Sequence, residues 1–240
     1  MTFVIPMAGK GSRFLEEGYK LPKYMIKVKN KTLFEYSIES LPLEIATKII
    51  FICLKSHKLL NVSEFIRKNV SHDNIKIIFL DDVTRGQSET VYKAKEYIDN
   101  YDELLIYNID TSFKSKKLKT ILLDDKLKKD GVLGAFIDKS NDDKWSFAKL
   151  DKDSNIIQTT EKDKVSDYAL TGLYHFKRAG DFFDIAEKCI NDNITVRNEF
   201  YIAPLYNYLI AENKIYVLNI VDEFIPLGTP QEVKSFEHKH

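Results

Sequence analysis

Between an apolar run, Phe3 to Ile5, and Val28, the chain carries Ala8-Gly9-Lys10-Gly11-Ser12-Arg13 and then, within a Pro-Lys pair, Lys23. Two glycines turn a backbone tightly and leave bare N–H groups facing outward. With the full charges of Arg13 and Lys23 added, the loop is equipped to wrap an anion such as a row of phosphates. Two familiar phosphate loops are excluded. A Walker A loop requires GxxxxGK[ST], which Gly9-Lys10-Gly11-Ser12 does not supply, and a dinucleotide fingerprint requires a third glycine where Phe14 stands.

Asp110 ends a second apolar run, Glu103 to Ile109. A carboxylate at a strand tip can hold Mg²⁺ bridging triphosphate oxygens, or it can simply cap the segment that follows. Asn108-Ile109-Asp110 has one carboxylate, so the paired acids of a DxD motif are absent. In the polar stretch Gly86-Gln87-Ser88-Glu89-Thr90, glycine allows close approach, and backbone and amide groups there can hydrogen-bond a ligand. Ser88 or Thr84 could equally cap the helix that starts here. Glu161-Lys162 alone would read as a surface pair; beside a phosphorylated sugar, the glutamate accepts from hydroxyls and the lysine meets the phosphate.

These residues need a frame. Lys48 to Leu54, continuously apolar after its first residue, and Ile75 to Leu80, apolar apart from Lys76, are runs separated by a helical stretch, as expected of strands covered on both faces. With Phe3 to Ile5 and Glu103 to Ile109 they set a β-α-β rhythm, which predicts an α/β fold with a doubly wound, mainly parallel sheet. Ligands then sit at the carboxyl ends of the strands, where Gly9, Arg13, Gln87 and Asp110 would gather. Thr32 is placed to cap a helix through about Ser40, and Lys114 to Lys129 reads as a solvated amphipathic helix. Further strands are expected at Gly131 to Ile137, Tyr168 to Phe176 and Ile215 to Ile220, with a hairpin from Trp145 to Thr160 and a closing helix after Gly228-Thr229-Pro230.

The loop with Arg13 and Pro22-Lys23 resembles the opening motif of the sugar-1-phosphate nucleotidyltransferases. Glu161-Lys162 followed by Ala169-Leu170-Thr171-Gly172-Leu173-Tyr174 is similar to the glucose-1-phosphate thymidylyltransferases. The resemblance spans nearly the whole chain and looks nearest to a divergent branch in capsule and lipopolysaccharide biosynthesis. It implies a Rossmann-like nucleotidyltransferase fold with a small β-rich sugar-binding insertion, in one domain with a nucleotide half to about residue 112 and an acceptor half from 113 to 240. It implies Arg13, Lys23 and Lys162 as catalytic residues, Ala8, Gly9, Gly11, Gln87 and Ser88 around the nucleotide, with Gln87 the candidate reader of a pyrimidine edge, and Trp145, Ser146, Glu161, Gly172 and Glu199 around the acceptor. Asp110 is the implied Mg²⁺ ligand. The family's aspartate before its late Gly-Thr, a second metal ligand, is missing from Pro226-Leu227-Gly228-Thr229; either Asp222 replaces it from a shifted position or one metal is held by Asp110 and the phosphates alone. The implied reaction joins a nucleoside triphosphate to a sugar 1-phosphate; a cytidylyltransferase for a non-sugar acceptor such as an aminoalcohol phosphate, or a non-catalytic nucleotide-binding module, stay open beside it.

Composition sets bounds on partners. The 240 residues carry 36 cationic and 36 acidic side chains, so no global field favours nucleic acid, though local charge can hold small anions. Cys53 and Cys189 lie far apart without metal-ligand spacing, as expected in a reducing compartment. With no basic leader and no run of about 18 apolar residues, the expectation is a cytoplasmic protein without membrane contact, a homo-oligomer being left open. His238 and His240 are expected to be inert.

Overall fold

Thr2–Pro6 lies inside a nine-stranded sheet, paired in parallel with Lys48–Leu54 on one side and Leu104–Tyr107 on the other. Ile75–Leu80 continues the parallel part beyond Lys48–Leu54. These strands are apolar without alternation because both faces are covered. Val4, Ile50 and Ile106 join one core with Val91, Phe182 and Tyr206, while Phe3, Phe51 and Leu105 join a second with Phe34, Val62 and Leu118. The computed structural model describes residues 1–238, so His240 lies outside the described residues.

The second half turns the sheet around. Tyr168–Phe176 pairs antiparallel with both Leu104–Tyr107 and Gly131–Ile137, and Tyr216–Ile220 runs parallel to Gly131–Ile137. The hairpin Ser146–Leu150 and Ile156–Glu161 closes the other margin. The doubly wound sheet with a β-rich insertion is therefore present, and the carboxyl ends of Thr2–Pro6 and Leu104–Tyr107 face the hairpin's Glu161 end.

Thr32 caps Leu33–Ile38 as its type predicts. Its hydroxyl accepts from Glu35 N at 3.2 Å and the Glu35 carboxylate accepts from Thr32 N at 2.7 Å, a reciprocal box that satisfies two orphan donors. Two expectations need correction. The helix foreseen over Lys114 to Lys129 is confined to Leu118–Leu123, because Asp124 turns back on Lys126 and Leu127. A short antiparallel ribbon, Thr111–Lys114 with Glu223–Pro226, had no clear periodicity to announce it. That ribbon matters, since Leu227 N donates to Asp110 O at 2.9 Å and seats Gly228 beside the Asp110 carboxylate.

Candidate active site

The phosphate-type loop leaves the sheet at Pro6, held by Met7 N donating to Ile52 O at 2.7 Å. Gly9 has no neighbour within 4 Å of where a Cβ would stand, and Gly11, at φ 64°, opens the helix Ser12–Glu16. Phe14 is buried and anchors that helix with Ile26, Leu33 and Val233, which is why an aromatic occupies the position of a third glycine. Ala8 is buried under the loop, while Arg13 is exposed.

Lys23 opens a short 3₁₀ turn, Lys23–Met25. The next residue, Tyr24, is buried; it shares a 2.8 Å hydrogen bond with His57 Nδ1 and packs edge-on to that ring, so the base of Lys23 is pinned. Burial pushes the Tyr24 phenol up and the His57 imidazole down, leaving both neutral. The Lys23 ammonium reaches Asp110 Oδ2 at 2.6 Å, with the two side chains 21% and 27% exposed. Two residues far apart in sequence thus meet at one strand end.

Gln87 begins the helix Gln87–Tyr92, and its Nε2 donates to Asn108 Oδ1. The turn before it is clamped: a Cβ on Gly86 would stand 2.4 Å from Phe200 N and 2.5 Å from Phe200 O. Ser88 belongs to this clamp rather than to open space. It is buried, and its amide and hydroxyl both donate to Phe200 O, at 2.9 and 3.2 Å. Its side chain has no surface to offer a nucleotide.

On the acceptor side, Ser146 Oγ donates to Glu161 Oε2, and burial pushes the Glu161 carboxyl up despite that bond. Lys162 stands at φ 53°, and its ammonium lies 2.5 Å from the Tyr201 hydroxyl and over the Tyr201 ring. Burial and the carboxylates of Glu199 and Glu161 push the Tyr201 phenol well up. Glu199 itself is exposed on the same segment. Gly172 has φ 85°, and the space a side chain would fill is taken by Asn108, whose Nδ2 would be 2.6 Å from a Cβ. The close approach that glycine permits is therefore to Asn108.

Trp145 and Asp222 go elsewhere. Trp145 packs edge-on against Phe136 and Phe224, both partly buried against the core on the face opposite Tyr174. Its neighbour Ser146 turns toward Glu161, so the chain separates the two residues that the sequence placed together. Trp145 and Asp222 line a cleft of about 660 Å³. Asp222 lies at the far end of the ribbon from Asp110, where its carboxylate accepts from Lys116 N at 2.8 Å. The nearer acid is Glu232. A Cβ on Gly228 would lie 3.5 Å from Asp110 Oδ2 and 3.6 Å from Glu232 Oε2, so the two carboxylates border the same gap. No three His, Cys, Asp or Glu side chains cluster as a metal cage among the described residues. That donor set fits Mg²⁺, which usually takes one or two carboxylates and fills its remaining positions with substrate phosphates and water.

The Nucleotidyl transferase family model matches residues 3–214. The chain belongs to that family. Among solved structures it is similar to the nucleoside-diphosphate-sugar pyrophosphorylase from Vibrio cholerae RC9, at 35% identity and TM-score 0.82 over 98% of this chain and 99% of the other. A UDP-glucose pyrophosphorylase, solved with UDP-glucose, shares the fold at 17% identity and TM-score 0.78, over 99% of this chain and 97% of that one. A bifunctional sugar-1-phosphate nucleotidylyltransferase/acetyltransferase from Sulfurisphaera tokodaii is 24% identical over 97% of this chain and 54% of its own length. The bifunctional protein GlmU of Methanococcus aeolicus is 27% identical over 97% and 53%. The chain thus spans about half the length of the curated relatives it matches.

Within this nucleotidyl transferase, three residues at the site were not singled out by sequence. Asn108 was read only as the missing acid of a DxD pair, and Tyr201 was passed over beside Glu199. Glu232 had a readable signal, because Thr229-Pro230-Gln231-Glu232 is a capping box. Glu232 Oε2 accepts from Thr229 N at 3.1 Å and Glu232 N donates to Thr229 Oγ1 at 3.2 Å.

Proposed function

We propose that this protein transfers the nucleotidyl group of a nucleoside triphosphate to the phosphate of a sugar 1-phosphate, releasing pyrophosphate and giving an activated sugar for surface polysaccharide synthesis. The observation that carries the reading is the Lys23–Asp110 pair at the strand end: a cation and a carboxylate held together beside a glycine-rich loop. In this reading the Gly9 and Gly11 N–H groups and Arg13 meet the leaving phosphates, Lys23 the α-phosphate and Lys162 the acceptor phosphate. An acceptor oxygen attacks the α-phosphorus in line, the bond to the β-phosphate oxygen breaks, and pyrophosphate leaves with that electron pair. No protein nucleophile is needed; catalysis is positioning and charge neutralisation. Asp110, with Glu232 across the gap, would hold Mg²⁺, which when bound spreads the phosphate charge.

The test is pyrophosphate release with Mg²⁺, crossing CTP, UTP, dTTP, GTP and ATP against sugar 1-phosphates and aminoalcohol phosphates. Release with one triphosphate and a sugar 1-phosphate supports the reading. Release only with an aminoalcohol phosphate moves the acceptor outside the sugars, and triphosphate binding without any release reduces the protein to a nucleotide-binding module.

A further inference from the structure

Asn108 stands where the nucleotide and acceptor halves touch. Its backbone N donates to Gly172 O at 3.1 Å, its side chain fills the space over Gly172, and its Oδ1 accepts from Gln87 Nε2. Gly172 lies where the pairing of Tyr168–Phe176 with Gly131–Ile137 shifts register, between Leu170 and Tyr174. With any other residue at 172, Asn108 could not occupy its place, since a Cβ there would lie 2.6 Å from Nδ2 and 2.8 Å from Cγ. The fold therefore reserves room for this one carboxamide and aims it at Gln87.

The consequence lies in how a carboxamide reads a base. It offers an acceptor on one side and a donor on the other. Cytosine presents an amine donor beside its ring-nitrogen acceptor, whereas uracil or thymine presents a carbonyl acceptor beside its ring N–H donor. A glutamine free to turn over by half a rotation matches both patterns. In the structure Gln87 is held, its nitrogen donating to Asn108 Oδ1, and the Asn108 carboxamide that holds it is packed against Gly172. We infer that Asn108 is a specificity-determining residue, which fixes the sense of the Gln87 carboxamide and with it the pyrimidine that is accepted. This rests on the proposed function, with Gln87 as the base reader that the family resemblance implies. Asn108 acts through Gln87 and is a positioning residue.

The experiment is equilibrium binding of CTP, UTP and dTTP with Mg²⁺ to the full chain, for wild type, Asn108→Ala, Asn108→Asp and Gln87→Ala, with thermal unfolding to confirm folding. A wrongly turned amide sets donor against donor, so wild type should favour one base type by about tenfold or more. Asn108→Ala should bring that ratio to within about threefold, since an unheld amide turns to suit either base. Asn108→Asp should keep the preference, because a carboxylate only accepts and so holds Nε2 in the same sense. In Gln87→Ala the ratio should vanish, and adding Asn108→Ala should not alter it further. The inference is overturned if folded Asn108→Ala keeps the wild-type ratio, or if Asn108→Asp loses it as fully as alanine does. If wild type favours a purine, binds both pyrimidine types equally, or keeps its preference in Gln87→Ala, then Gln87 does not read the base, and the reading beneath the inference falls with it.

Discussion

Replacing Gly86 by alanine tests whether the nucleotide turn and the acceptor segment are locked together. The added Cβ would stand 2.4 Å from Phe200 N, 2.5 Å from Phe200 O and 2.8 Å from Phe200 C. An ordinary contact begins near 3.4 Å, so the two backbones must part by about 1 Å. No flexible side chain can absorb that, because all three atoms are main chain. The parting stretches two hydrogen bonds, Ser88 N to Phe200 O at 2.9 Å and Phe200 N to Arg85 O at 3.1 Å. Each is worth about 1 kcal/mol, and overpacking adds about 1–3 kcal/mol, giving a loss of about 3–5 kcal/mol. Urea unfolding followed by tryptophan fluorescence measures it, against a total stability of about 5–15 kcal/mol. Tyr201, next to Phe200, holds Lys162, so whatever folds should also show a raised KM for the acceptor. A loss below about 1 kcal/mol would refute the steric argument, since strain and two bonds cannot both vanish.

Lys23→Ala should lower turnover by orders of magnitude while unfolding shifts by about 1 kcal/mol or less, since the ion pair it breaks is part-exposed; near-normal pyrophosphate release from the folded variant would sink the role of Lys23. Tyr201→Phe keeps the ring under Lys162 but removes the hydroxyl that holds its ammonium, so kinetics should show a several-fold rise in acceptor KM with the triphosphate KM unchanged. Glu103 gives an acid-range prediction. Burial opposes its charge, yet the His175 ring and the Lys177 ammonium at 2.5 Å outweigh that and hold the carboxyl down at about 2. A depressed folded value stabilises fully above the ordinary 4.5 and is lost as pH falls toward 2, a span worth at most about 3 kcal/mol. Unfolding free energy of Glu103→Gln should therefore fall less steeply than wild type between those pH values; an identical slope would remove Glu103 as the cause.

The sequence made legible what depends on one residue type in one local setting. Parallel strands announce themselves because both faces are covered, and the capping Thr32 sits directly before its apolar helix. The Gly9–Gly11 loop and Asp110 could be placed at strand ends by rhythm alone. What escaped depends on pairs distant in the chain. Gly172 looked like room for a ligand, and only the register shift in its strand shows that the room belongs to Asn108. Ser88 looked exposed in a polar stretch, but Phe200, 112 residues on, covers it. Trp145 and Ser146 were read as one pocket wall, although adjacent residues entering a strand point to opposite faces. Asp222 and Glu232 were equally acidic in sequence, and the unannounced ribbon decides which of them reaches Asp110.

Both site lysines hold partners that a phosphate can replace. Lys23 pairs with Asp110, and Lys162 with the neutral Tyr201 hydroxyl. Neither hold is strong: a part-exposed ion pair contributes about 1 kcal/mol or less, and a single hydrogen bond about as much. A phosphate with its several charge-assisted bonds outcompetes each of them. The partners nonetheless do structural work, since an unpaired long ammonium would sample many rotamers and pay about 2 kcal/mol to order on binding. Tyr24, buried against His57, and Tyr201, next to the Phe200 that is clamped against Gly86, carry that ordering into the core. The chain's net charge of zero does not exclude the proposed anion site, because local placement, not overall composition, sets the charge that a small ligand meets.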